Sequence, residues 1–298
     1  MFNQYFGNFL LEKRIITAKQ LKEVLELQKL VRVKIGILAI DNGFMNAKEV
    51  LEVHKLQIIK DKKFGEIAIE EGYLTKEKLE ELLRKQKKSM VLIGQALINK
   101  GYITFQRYEE ILVQFKEESG FSFEEFNAIR NNNLEKIVPM FVKIKDSSMS
   151  TLLHKYIQLF VRNIARFIDV DIVLGKAEKI DSKAFDNLVY QKIDGTHRIF
   201  SALEGEDEVV TKFASIYAEE QCEEVDEIVQ DSLGEFLNCT NGLFLSGLSN
   251  SGVELELSPP KFECSGKLIK TKEIYKIPCS LSFGEFNLLV SCEYPVIE

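Results

Sequence analysis

No stretch of this sequence stays apolar for anything near the ~18 residues that a membrane-crossing helix requires. Insertion into a membrane is therefore not expected. The opening residues, Met1 to Lys13, also lack a basic segment followed by an apolar core and a small-residue cleavage site, so the expected location is cytoplasmic. Cysteine is sparse: there are five, an odd number, all beyond Glu220 and with no Cys-x-x-Cys pair. This excludes a disulfide or zinc framework and fits reduced thiols, and the lone Asn238-Cys239-Thr240 sequon then reads as a chance match. Histidine is scarcer still. His54, His154 and His197 are dispersed and accompany no Ser or Cys motif, so neither a nucleophilic triad nor a metal site is supported. Gly242, Gly247 and Gly252 form no dinucleotide fingerprint and read as turns or close packing ahead of a strand.

What the chain has is enough apolar material for two cores: 298 residues, 45% of them hydrophobic. Its net charge of −7 hides an asymmetry. Residues 1–116 carry 21 Lys and Arg against 15 Asp and Glu, whereas residues 117–298 carry 18 against 31. Two functional modules follow from that contrast, the first tolerant of anionic partners and the second unsuited to nucleic acid.

The first module is repetitive. Gly7, Gly36, Gly65 and Gly94 recur every 29 residues, each within a short apolar run such as Leu38-Ala39-Ile40 or Ile67-Ala68-Ile69. Seven residues on stand Arg14, Gly43, Gly72 and Gly101, and glycine there suits a left-handed helix terminus. Thr17, Asn46, Thr75 and Thr104 then offer N-caps, with Gln20 and Glu49 completing capping boxes in the first two blocks. A second helix follows in each block, with an apolar face such as Leu79/Leu82/Leu83, and three blocks end in Gln28, Gln57 and Gln86. The pattern predicts four helical hairpins of about 24 residues, each with a stripe that one hairpin alone cannot bury.

A block of this form, basic-apolar-Gly, then Gly, Leu and a terminal Gln with a five-residue spacer, resembles the MshEN family. These are N-terminal domains of type II secretion and pilus ATPases, some of which bind cyclic di-GMP through two such blocks. The resemblance covers residues 5–115. It implies ligand contacts at the basic opener, the glycine after it and the terminal glutamine, which places a possible nucleotide site on Lys34, Gly36 and Gln57 with Lys63, Gly65 and Gln86. The other reading of the residues is a helical module that packs on a protein partner or on the second domain.

Residues 117–146, with Phe121, Phe123, Phe126, Ile137 and Phe141, are too apolar for a loose linker and predict a helical bridge interrupted near Asn131-Asn132-Asn133 and at Pro139. From residue 147 the pattern changes. Leu152, Tyr156, Leu159, Phe160, Ile164 and Phe167 predict an amphipathic helix before a strand at Val170–Leu174. Further strands are expected at Asn187–Ile193, His197–Ala202, Gly252–Leu257, Ile274–Phe283 and Phe286–Cys292, and helices at Asp207–Tyr217 and Cys222–Cys239. The predicted organisation is thus an all-α helical-hairpin repeat domain (1–116), a bridge (117–146) and an α+β domain of two long helices on an antiparallel sheet (147–298).

The last helix holds the polar constellation of most interest. Asp231, Glu235 and Asn238 are spaced i, i+4, i+7 and share one stripe, while Val229, Ser232 and Phe236 fall on the other side. Gly242 follows, and Pro259-Pro260 stands further on. This arrangement, with Ile199-Phe200-Ser201-Ala202-Leu203 and Val253-Glu254-Leu255-Glu256-Leu257 around it, resembles the CheC/CheX/FliY family of chemotaxis phosphatases over residues 148–292, the CheX branch in particular. The resemblance implies hydrolysis of the aspartyl phosphate on a CheY-like receiver domain. Glu235 would anchor the helix to the receiver, Asn238 would orient the attacking water, and Asp231 would flank the contact. No cofactor of its own is expected, since magnesium and a lysine belong to the partner. The resemblance also implies a homodimer paired through its sheets. The alternative is a non-enzymatic adaptor that binds a receiver or a pilus, secretion or flagellar component. A carboxamide suits the catalytic role because it offers both a donor and an acceptor without a perturbed pKa.

Overall fold

The computed structural model describes residues 2–28, 34–60, 62–88, 93–144, 147–249 and 252–298. They form two compact units, Phe2–Phe126 and Asn127–Glu298. A helical region is followed by an α+β domain with an antiparallel sheet.

In the first unit helices alternate with tight turns: α1 (Phe2–Glu12), α2 (Ala18–Gln28), α3 (Ile35–Asp41), α4 (Ala47–Lys60), α5 (Phe64–Glu70), α6 (Lys76–Lys88), α7 (Ile93–Asn99) and α8 (Phe105–Ser119). Gly43, Gly72 and Gly101 end the shorter helices at φ 64°, 76° and 72°, and Arg14 takes the same left-handed conformation at φ 53°. Reciprocal boxes form at Thr17/Gln20 and Asn46/Glu49. Thr75 and Thr104 cap the helices after them by accepting from the N–H groups of Lys78 and Arg107.

Packing explains the glycines that open the blocks. A methyl group placed on Gly7, Gly36, Gly65 or Gly94 would meet Leu21, Val50, Leu79 or Tyr108, each fourteen residues on, at 3.3, 2.9, 2.6 and 2.2 Å. Each glycine therefore lets the two helices of a block cross closely. Most other packing runs between blocks: α2 meets α7, α3 meets α6, and α4 meets α5 and α8.

The boundary between the units falls inside α9 (Phe123–Arg130), after which Asn132 at φ 50° breaks the chain as expected. Pro139, by contrast, does not interrupt: it lies within α10 (Leu134–Phe141), near an end where only one backbone bond is forfeited.

The second unit continues with α11 (Ser147–Phe167), β1 (Val173–Leu174), β2 (Glu178–Gly195), β3 (Ile199–Gly205), α12 (Asp207–Tyr217), α13 (Glu227–Ser249), β4 (Leu255–Leu257), β5 (Lys261–Leu281), β6 (Gly284–Ser291) and β7 (Val296–Ile297). The sheet order is β1-β5-β6-β3-β2-β4, antiparallel throughout, and β5 also pairs with β7 and with β2. That last pairing closes β2, β3, β6 and β5 into a ring. Its inner face buries Phe185, Leu188, Tyr190, Phe200, Leu268 and Ile274, while α12 and α13 pack on the sheet's other face and α11 packs on α13.

Two strands are much longer than the sequence pattern indicates. Residues 178–186 and 261–273 are rich in charge, and no strand is predicted there. They pair because their charges match across the ladder: Lys179 with Glu273, Lys270 with Asp181, and Lys276 with Glu178. The strand expected at Val170–Leu174 shrinks to two residues, because the Asp169 carboxylate accepts from the Asp171 N–H and holds a turn.

Candidate functional site

Helix α13 does not begin at Cys222 as its pattern suggests. The Asp226 carboxylate accepts from the Val229 N–H at 3.0 Å and caps it, so the acidic run before Asp226 lies outside the helix. Nor do Gly242 and Gly247 stop it. Both sit inside the helix with open space where a Cβ would project, so neither marks a turn or close packing. The stop is Gly252, at φ 76°, whose N–H donates to the Ser249 carbonyl.

The inner stripe of α13 is dominated by Val229, Leu233, Phe236 and Leu237, all essentially inaccessible. Phe236 anchors it edge-on to Phe160, Phe213 and Tyr217, with ring centroids 5.8, 5.0 and 5.6 Å apart. This fixes the helix about its axis. Asp231, Glu235 and Asn238 consequently all face solvent. Between them, a methyl group placed on Gly234 would stand 3.5 Å from the ring of Pro260, so the second proline of the pair packs over the helix one residue from Glu235.

Tyr217 lies beside this stripe and was not singled out from sequence. Burial, helped by the neighbouring Cys239 thiol and the Glu235 carboxylate, pushes its hydroxyl up to about 12, so it stays protonated near neutrality.

Beneath Asn238 is a polar chain that sequence reasoning missed. Gln191, fully buried on β2, donates from Nε2 to Asn238 Oδ1 at 2.7 Å and to the Ser258 carbonyl at 2.7 Å. Its Oε1 accepts from Asn241 Nδ2 at 2.7 Å, and Asn241 Nδ2 also donates to Ser201 Oγ at 3.0 Å. Gln191 and Ser201 are direct cross-strand partners, so the register itself places both under α13. A glutamine inside the run Leu188-Val189-Tyr190-Gln191-Lys192-Ile193 is the signal that could have revealed the chain. A buried amide at that position needs partners, and leaving one of its groups unpaired costs about 1–3 kcal/mol.

Two open clefts among the described residues of this unit lie away from the stripe: one of about 920 Å³ runs between Asp194–Thr196 and Leu245–Ser249, and one of about 490 Å³ lies around Asp186, Asp207 and Cys264. Asp231, Glu235 and Asn238 stand on the exposed face of the helix. Among the described residues, no group of three or more His, Cys, Asp and Glu side chains could hold a metal ion. No described helix is long and apolar enough to cross a membrane.

The residues considered for nucleotide binding are distributed differently. Lys34 and Lys63 are exposed ahead of α3 and α5. Gln57 Oε1 lies 3.1 Å from His54 Nδ1, and Gln57 Nε2 donates to the Lys62 carbonyl at 3.4 Å. Gly36 is covered by Val50 and Phe64, and Gly65 by Leu79, so helix packing alone accounts for both glycines. Gln86 falls in α6, but its side chain lies outside the described residues.

Residues 188–280, which contain the whole of α13, match the family model described as "Chemotaxis phosphatase CheX". No curated relative matches the chain. Solved structures similar to it include a CheC-like superfamily protein from Shewanella sp. PV-4 (16% identity, 47% of this chain and 95% of that one, TM-score 0.42). Another is a chemotaxis protein CheX from Desulfovibrio desulfuricans (13% identity, 48% and 99%, TM-score 0.42). A third is a chain of the CheX–CheY–BeF3–Mg2+ complex from Borrelia burgdorferi (19% identity, 49% and 97%, TM-score 0.40).

Proposed function

We propose that the second unit hydrolyses the aspartyl phosphate of a CheY-like receiver domain. The observation that supports this most directly is the outward stripe Asp231, Glu235, Asn238 on a helix locked by its aromatic underside, within the segment that matches the phosphatase family model. Aspartyl-phosphate hydrolysis needs a water held in line with phosphorus, and the receiver's own magnesium and lysine can neutralise most of the developing charge. The added catalyst can therefore be a positioning amide. Asn238 offers outward N–H donors, with the second lone pair of Oδ1 beside them, to hold that water against the phosphoryl group. Glu235 docks on the receiver's lysine, and Asp231 extends the acidic contact. The helical unit locates or regulates this activity.

The test is the decay of purified CheY-like receivers phosphorylated by a small-molecule donor. Asn238→Ala is expected to leave folding and binding of a beryllofluoride-loaded receiver nearly unchanged while slowing dephosphorylation on the order of a hundredfold. Glu235→Ala is expected to weaken binding and turnover together, with the stronger salt dependence of a charged contact. Acceleration that survives Asn238→Ala would sink the mechanism. Binding without acceleration by the wild type would favour the adaptor.

A further inference from the structure

The orientation of Asn238 follows from a chain of forced donor and acceptor choices. The Ser258 carbonyl only accepts, so the Gln191 atom 2.7 Å from it must be the amide nitrogen. Its second hydrogen then faces Asn238, whose atom at 2.7 Å must be the carboxamide oxygen. At the other end, Gln191 Oε1 is occupied by Asn241 Nδ2, whose remaining hydrogen goes to Ser201. Both donors and the acceptor of Gln191 are committed, and the residue is completely buried. Turning its amide over would set oxygen against oxygen at Ser258 and nitrogen against nitrogen at Asn241.

We infer that Gln191 is a positioning residue for Asn238: it holds the exposed carboxamide in one of its two flips, Oδ1 inward and both Nδ2 donors outward. Exposed asparagine amides ordinarily turn over readily about the Cβ–Cγ bond. Here one face of α13 has been given a fixed donor, anchored through Gln191 to β2 and, through Ser258, to the turn before β5. The consequence for turnover rests on the phosphatase reading, but the locked orientation does not. If a water or phosphoryl oxygen is bound by Asn238 Nδ2, losing the lock leaves a correctly placed side chain that spends part of its time with the wrong atom outward.

Side-chain 15N relaxation on the full-length protein reads the lock directly, with the Asn238 amide assigned by its disappearance in Asn238→Ala. The wild-type Asn238 amide should be as ordered as the helix backbone. In Gln191→Met, which offers neither donor nor strong acceptor, it should become mobile, whereas in Gln191→Glu, whose carboxylate only accepts, it should turn over and donate Nδ2 inward. A mobile Asn238 amide in the wild type, or one equally ordered in a folded Gln191→Met variant, would overturn the inference. In receiver dephosphorylation, Gln191→Met should cost ~10- to 100-fold in rate with binding of the beryllofluoride-loaded receiver unchanged, and nothing further when added to Asn238→Ala. A loss that adds in full to that of Asn238→Ala would mark a general structural effect and overturn it too. An ordered amide in a wild type that accelerates no receiver would remove the phosphatase reading and leave the positioning intact.

Discussion

A single atom pair separates two roles for Asn238. Asn238→Asp preserves an oxygen for Gln191 Nε2 but replaces the outward N–H donors with a second oxygen and adds a negative charge, which on the proposed mechanism would face the receiver's phosphoryl group. It should therefore slow receiver dephosphorylation at least as much as Asn238→Ala, which the same decay assay checks. A second residue prediction concerns His54, half-buried between Phe64 and Phe105 with ring centroids 5.3 and 5.7 Å away. Burial holds its imidazole below the ordinary value of 6.5; Lys34 adds to this, and the hydrogen bond with Gln57 partly opposes it. Because the folded value is the lower one, the unfolded chain takes up the proton first. The contribution of His54 to stability is thus complete above about 6.5 and is lost as pH falls through the folded value. An NMR titration of His54 should show a midpoint below 6.5, and the protection of α4 amides, taken relative to their intrinsic exchange rates at each pH, should fall as pH falls through that range.

At the scale of elements, the turn after α1 is the weak member of its set. Arg14 holds the left-handed conformation that glycine occupies at residues 43, 72 and 101, and it is exposed. Arg14→Gly should stabilise the helical unit by about 0.5–1 kcal/mol, readable by urea denaturation. The opening glycines should respond to alanine in graded fashion. Gly94→Ala drives a methyl group into the buried Tyr108 ring and should cost about 1–3 kcal/mol, whereas Gly7→Ala meets the side-chain tips of Leu21 and Ile93 at 3.3 Å or more and should cost much less. These helices were legible because caps, stops and apolar spacing act locally, and α12 was legible to the residue for the same reason. Asp231, Glu235 and Asn238 were legible because helical periodicity alone puts them on one stripe. The length of β2 and β5 was not, since charged strands reveal themselves only through partners about 90 residues away. Gln191 was hidden for a related reason: its partners come from β3, α13 and the turn before β5, and no local pattern connects them.

For the molecule as a whole, ring closure bears on assembly. The apolar strands expected to pair two copies are already covered within one chain: Ile274, Ile277, Cys279, Leu288, Leu289 and Val290 are all essentially inaccessible. A homodimer of the kind the resemblance implies would therefore pair through strand edges or another exposed surface, not through these buried side chains. Light scattering of the full-length protein at micromolar concentration checks it: the mass of two chains is expected, and that of a single chain would rule the dimer out. The same closure orders events in time. The helical unit ends at Phe126, so the contacts within it can form once that part of the chain has been made. The ring is different: Glu178 meets Lys276, a separation of 98 residues, and β6 must still be added between β5 and β3. Loops of that length close slowly because their ends must meet before any pairing rewards them. On the ribosome the sheet of the second unit thus waits, unclosed, until β6 has been made, while the helices ahead of it are already free to fold.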